Sequence, residues 1–180
     1  MVTTTHVPVE LYLQSSEWDP DAEYVDGQIE ERPMGEYDHA DWQGAILYWF
    51  RRHAEEWNLR VQTELRVQVS KDNYRVPDVT VMSRSNPKEQ IVTLPPIAVF
   101  EVLSPEDRIS RMMQKLADYS AMGIQQIWVV DPATGAFMRY ADGSLTVSTR
   151  FEGAGIEFPL SAITELLLGF LGLPIHRWGI

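Results

Sequence analysis

The chain has 180 residues, is 44% hydrophobic and 23% charged, carries a net charge of −11 and contains no cysteine. This suits one soluble domain spanning 1–180 with a sizeable core; it excludes disulfides, thiolate metal sites and a cysteine nucleophile, and it fits a reducing cytoplasm. No apolar run approaches the ~20 residues of a membrane span, the N-terminus lacks the pattern of a signal peptide, and the acidic balance argues against a general nucleic-acid coat while leaving room for a local basic groove.

Val9 to Ser15 reads as a short helix. Glu23 to Glu30 reads as a hairpin turning on Asp26-Gly27. From Asp38 to Trp57, Trp42, Ala45, Ile46, Trp49, Phe50, His53 and Trp57 recur at three and four residues, which predicts a helix with one apolar stripe. Arg60 to Val69 alternates strictly, with Val61, Leu65, Val67 and Val69 on one side and Gln62, Glu64, Arg66 and Gln68 on the other, which predicts a half-buried strand. Lys71-Asp72-Asn73 turns the chain into a second strand, Arg75 to Met82.

A polar loop, Ser83 to Pro96, leads to a third strand, Ile97 to Leu103, apolar on both faces and so expected at the covered centre of a sheet. Ser104 as cap, Pro105 at the first helical position and Asp107 as a loose capping box predict a helix from there to about Met122, ended by Gly123. Gln125 to Val130 is a fourth strand. Ala136–Tyr140 and Ser144–Thr149 form a second hairpin around Asp142-Gly143, and Ala162 to Leu168 a final helix. The fold class is therefore α/β (α+β), a mixed sheet between helices, with a right-handed parallel crossover from Ile97 to Val130.

Two carboxylates stand out. Asp78, in Arg75-Val76-Pro77-Asp78-Val79, and Glu101, in Val99-Phe100-Glu101-Val102-Leu103, lie in apolar runs, where a carboxylate is costly unless paired, protonated or on a metal. Glu101 shares a face with Ile97, Val99 and Leu103, and Asp78 shares one with Val76 and Thr80. With neighbouring strands, Glu64, Asp78 and Glu101 converge. On the next helix, at about 100° per residue, Lys115 falls on the edge of the buried stripe, from where its ammonium can reach the sheet. Taken singly, Lys115 suits a solvated helix face, Glu64 an exposed strand residue and Asp78 a turn.

Taken together they are the parts of a phosphodiesterase. Hard-oxygen ligands hold Mg²⁺ or Mn²⁺, a lysine orients water or offsets charge, and strands give rigidity. The histidines are too scattered for a zinc site, although His39, near Gln43, can border the cleft. No P-loop or dinucleotide fingerprint is present, so no organic cofactor is expected.

At these residues the chain resembles the PD-(D/E)XK nuclease superfamily, and within it the bacterial family known as "putative restriction endonucleases", long a domain of unknown function. The resemblance runs through Tyr24-Val25-Asp26-Gly27, His39, Val76-Pro77-Asp78-Val79, Val99-Phe100-Glu101-Val102-Leu103-Ser104-Pro105, Lys115-Leu116-Ala117-Asp118-Tyr119, Gly123-Ile124 and Trp128-Val129-Val130-Asp131-Pro132. It covers roughly residues 20–150.

The resemblance implies a restriction-endonuclease-like αβββαβ core with extra hairpins at both ends. It implies a divalent metal on Asp78 and Glu101, assisted by a backbone carbonyl near Val102, and Glu64 as a further ligand or water-positioner. The superfamily's lysine stands two residues after the glutamate, where this chain has Leu103. The similar family carries its lysine on the following helix, which points to Lys115. The resulting expectation is a Mg²⁺-dependent endonuclease acting on DNA, as a homodimer. A catalytically silent nuclease-fold binding or assembly protein, and a hydrolase of small phosphoesters, are the alternatives.

Overall fold

The computed structural model describes residues 6–14, 18, 22–32, 35–105 and 108–172. In chain order its elements are α1 (Val9–Gln14), β1 (Glu23–Val25), β2 (Gln28–Glu30), α2 (Tyr37–Arg52), β3 (Leu59–Thr63), β4 (Val67–Ser70), β5 (Asn73–Arg75), β6 (Val79–Ser83), β7 (Ala98–Val102), α3 (Ile109–Met122), β8 (Gln126–Asp131), β9 (Ala136–Ala141), β10 (Ser144–Val147), β11 (Arg150–Gly153), β12 (Ile156–Pro159) and α4 (Ser161–Leu171). Among the described residues no helix is long and apolar enough to cross a membrane.

The period-two alternation of the central strands sorts their side chains between two cores. Phe100 and Val102 of β7, Val79 and Val81 of β6 and Trp128 and Val130 of β8 pack with Trp42, Ile46 and Phe50 of α2 and Ile163 and Leu167 of α4. Val99, Ile127 and Val129 pack with Met112, Leu116 and Tyr119 of α3. The result is a mixed six-stranded sheet, ordered β10-β9-β8-β7-β6-β3, between helices. Only β7 and β8 pair in parallel within it, across the α3 crossover. The expected mixed α/β architecture is the one observed, and α2, β3, β6, β7, α3 and β8 reproduce its αβββαβ order.

Two strands expected to be continuous are broken. Arg60–Val69 divides into β3 and β4 at Glu64, whose φ of 52° interrupts the extended chain. Leu59 and Val61 then pack under α2, whereas Val67 and Val69 pack on the α3 side. Arg75–Met82 divides into β5 and β6 at Val76-Pro77-Asp78, where Pro77 has no N–H for a ladder. A single long hairpin therefore bends as a unit. Its β3–β6 half belongs to the large sheet, and its β4–β5 half joins β1 and β2 in a second sheet, ordered β2-β1-β5-β4. Tyr12 of α1 stacks on Tyr24 beneath this sheet, with ring centroids 5.1 Å apart, and Tyr74 closes the cluster.

Other boundaries also differ. α2 ends at Arg52 because the chain turns through 53–58, with Asn58 at φ 55° and Leu59 N–H bonded to Ala54 O at 2.8 Å. Trp57 nevertheless keeps its apolar role by stacking on Phe158. α3 begins at Ile109, capped by Arg108 without a side-chain bond. Ser104 is thus not its cap, and Asp107 and the predicted end of α1 at Ser15 lie outside the described residues. Gly123 does end α3, at φ 97°. The hairpin β9–β10 extends the large sheet rather than standing apart, and a further hairpin, β11–β12, inserts Phe151 and Phe158 into the α2-side core.

Candidate active site

Glu101 faces α3 by the alternation of β7, and α3 answers it with two groups one helical turn apart. Lys115 Nζ donates to Glu101 Oε2 at 2.8 Å, and Tyr119 OH donates to Oε1 at 2.6 Å. Asp78, in the break before β6, points to the same place. Its Oδ2 accepts the Val102 N–H at 2.7 Å, and its Oδ1 meets the Arg32 guanidinium and, at 3.4 Å, His39 Nε2. Both carboxylates are about 98–99% buried, Asp78 being 1% and Glu101 2% exposed. Together with Glu23, Arg32, His39, Ser104 and Lys115 they line a cavity of about 50 Å³.

The structure thus brings Asp78, Glu101 and Lys115 together. It does not bring the Glu64 side chain to them. Glu64 is exposed, its carboxylate accepts from Gln43 Nε2 at 3.3 Å, and only its backbone N–H reaches Asp78, at the carbonyl, 3.3 Å away. Gln43 Nε2 also donates to that carbonyl at 3.1 Å. The positive φ of Glu64 removes the strand alternation that aimed its side chain at the site. His39 does border the cavity, linked through Nδ1 to Ser104 Oγ at 3.2 Å.

Three residues that the sequence reading does not single out complete the site. Glu23, read as the start of a hairpin, is buried and accepts from Lys115 Nζ at 2.8 Å and from Arg75 at 2.9 Å. Arg75, 1% exposed, continues to Asp118 at 2.7 Å. Arg32 reaches in from just beyond β2. The burial of Tyr24 and Val25 around Glu23 marks β1 as interior, the same signal that singled out Glu101.

Electrostatics separates the carboxyls. Burial pushes Glu101 up, Lys115 opposes it and Asp78 adds to it, leaving its pKa at about 7. Burial also pushes Asp78 up, but His39 and Arg32 outweigh it and hold the group below its ordinary value. Glu23 is likewise depressed, because Lys115 and Arg75 overcome its burial. Burial would lower Lys115, yet Glu101 and Glu23 keep it raised and charged.

The donor set fits a divalent cation of the magnesium kind. Two buried hard-oxygen carboxylates share a cavity with room for water, and such ions need only one or two protein carboxylates when water fills the remaining positions. Among the described residues no three of His, Asp and Glu cluster closely enough to form an all-protein cage.

The sequence profile of Uma2, described as "Putative restriction endonuclease", matches residues 9–165. Among solved structures, a crystal structure of a putative nuclease belonging to DUF820 from Anabaena variabilis ATCC 29413 superposes with a TM-score of 0.76 at 21% identity, over 90% of this chain and 99% of that one. A cryo-EM structure of a DrdV–DNA complex aligns with a TM-score of 0.40 at 19% identity, over 73% of this chain and 12% of that one. No curated protein matches.

Proposed function

The chain belongs to the Uma2 family of putative restriction endonucleases, and from that premise we propose that it is a divalent-metal-dependent nuclease hydrolysing phosphodiester bonds in DNA. Asp78 and Glu101 are its metal ligands, for Mg²⁺ or Mn²⁺. The observation that carries this reading is the 2.8 Å contact of Lys115 Nζ with Glu101, on the same cavity wall as Asp78. A lysine from α3 thereby reaches the glutamate where the superfamily would use the position of Leu103.

When bound, the cation supplies charge against the phosphate and makes water easier to deprotonate. The chain supplies the rest. The Val102 N–H and Tyr119 hydroxyl fix the two carboxylates. Lys115, held by Glu23, Glu101 and the Val76 carbonyl, keeps its ammonium at one point to stabilise the charged phosphorus centre, and orients the attacking water by giving up one of these three partners. Glu64 acts as a positioning residue through Gln43, which holds the Asp78 carbonyl.

The reading extends to one domain over 1–180 with its core at about 20–150, to a homodimer, and to a cytoplasmic location that the absence of cysteine supports. Sedimentation velocity tests the dimer.

Plasmid, linear and single-stranded DNA, each with Mg²⁺, Mn²⁺ or EDTA, test the activity against Asp78→Asn and Glu101→Gln. Metal-dependent cleavage that falls at least about a hundredfold in both variants is expected. Undiminished cleavage in the variants overturns the site.

One observation favours a second reading, a nuclease-fold binding protein without catalysis. Both oxygens of Asp78 are engaged by Arg32, His39 and Val102. An intact fold with no cleavage in Mn²⁺ on any substrate selects it.

A further inference from the structure

Among the cations of the site, Arg32 stands apart. Arg75 is shared among Glu23, Glu30 and Asp118, and Lys115 between Glu23 and Glu101. Among the described residues Arg32 hydrogen-bonds only to Asp78, although its side chain is just 14% exposed and lines the cavity. A guanidinium carries five N–H donors in a planar fork, so much of its donor capacity is not used by Asp78. Its hydrogen-bond partner among the described residues is also the carboxylate assigned to the metal.

We propose that Arg32 is a substrate-binding residue that serves two anions in turn: the Asp78 carboxylate in the resting protein, and the phosphodiester once a cation holds Asp78. The proposal rests on the nuclease reading above. A divalent cation on Asp78 repels the guanidinium and removes its acceptor. Of the other two carboxylates of the wall, Glu101 is assigned to the same cation and Glu23 already accepts from Lys115, Arg75 and the Val76 N–H. The released fork then faces the cavity with donors matched to two phosphate oxygens. Metal and Arg32 therefore compete for Asp78, whereas substrate and Arg32 cooperate.

This gives effects of opposite sign in one variant. Mn²⁺ binding is read by titration calorimetry. Binding of a short fluorescein-labelled single-stranded oligonucleotide, with Ca²⁺ as the cation, is read by anisotropy. Arg32→Ala is expected to bind Mn²⁺ more tightly, by roughly threefold or more, because a competitor is gone. It is expected to lose oligonucleotide affinity by roughly tenfold or more, the scale of a charge-assisted hydrogen bond. Arg32→Lys should keep Mn²⁺ affinity near wild type and recover part of the oligonucleotide binding.

A purely structural role for Arg32 would weaken both. If Arg32→Ala fails to fold, Arg32→Gln carries the same expectations. Equal or weaker Mn²⁺ binding in the folded variant, or unchanged oligonucleotide binding, overturns the Arg32 proposal alone. Absence of Mn²⁺ binding in wild type and variant alike overturns the metal reading and this proposal with it.

Discussion

Asp78 and Glu101 open on one cavity, yet their surroundings drive the two carboxyls in opposite directions, Asp78 below its ordinary pKa and Glu101 up to about 7. The difference lies in their partners. Burial opposes ionisation of both, but Asp78 meets Arg32, His39 and a backbone N–H, whereas Glu101 faces Lys115 with the charge of Asp78 nearby. Ionisable groups set apart in this way are characteristic of functional sites.

Lys115 is the cation common to Glu23 and Glu101. Replacing it with methionine leaves both buried carboxylates short of a partner, a change that costs about 3–5 kcal/mol. Lys115→Met is expected to lose stability on that scale in urea unfolding, and Lys115→Met with Glu23→Gln to recover part of it. Additive losses would show that the two groups are not coupled. DNA cleavage is expected to fall in both, since neither has the ammonium.

Glu23 sets an acid limit on stability. Its folded pKa lies below its ordinary value of 4.5, so the folded form binds the proton less readily than the unfolded one. Its contribution is present above the unfolded pKa and is lost as pH falls through the folded one. Glu23→Gln should therefore melt below wild type near neutrality, and the gap should close as the pH is lowered. A gap independent of pH between roughly 3 and 7 would remove Glu23 from the acid limb.

Glu64 separates direct ligation from positioning. Its exposed carboxylate touches Gln43 rather than the cavity. Glu64→Gln is expected to reduce cleavage by less than about tenfold, with Asp78→Asn reducing it by about a hundredfold or more. Equal losses would restore Glu64 to the metal set.

Phe151 anchors the β11–β12 hairpin. It is fully buried, 5.2 Å from Phe158 and 5.6 Å from Phe50 between ring centroids. Phe151→Ala should cost about 3–5 kcal/mol, measured by urea unfolding. A loss below about 1 kcal/mol would make the hairpin an appendage rather than part of the core.

The order of elements was legible because apolar alternation and the Gly123 stop are local signals. The break at Val76-Pro77-Asp78 was signalled by Pro77, although Arg75–Met82 reads as one strand; the break at Glu64 was not. The alternation of Arg60–Val69 continues through Glu64 without a glycine, and pairing in two different sheets is a tertiary matter. Phe151, Ile156 and Phe158 sit in strands too short to declare themselves. Asp78, Glu101 and Lys115 were readable as charges in or beside apolar runs. Arg32 and Arg75 were not, because their meaning comes from partners more than forty positions away.

The bent hairpin has a mechanical consequence. Asp78 sits at the crease where the ribbon leaves one sheet for the other, whereas Glu101 is embedded in a strand of the larger sheet alone. Asp78 is nevertheless tied to that strand through the Val102 N–H, and Glu23 of the small sheet is tied to Glu101 through Lys115, so contacts cross the crease from both sides. The acids are thus the stitching between the two sheets, and the residues proposed for chemistry are also the seam that holds the bent ribbon in place.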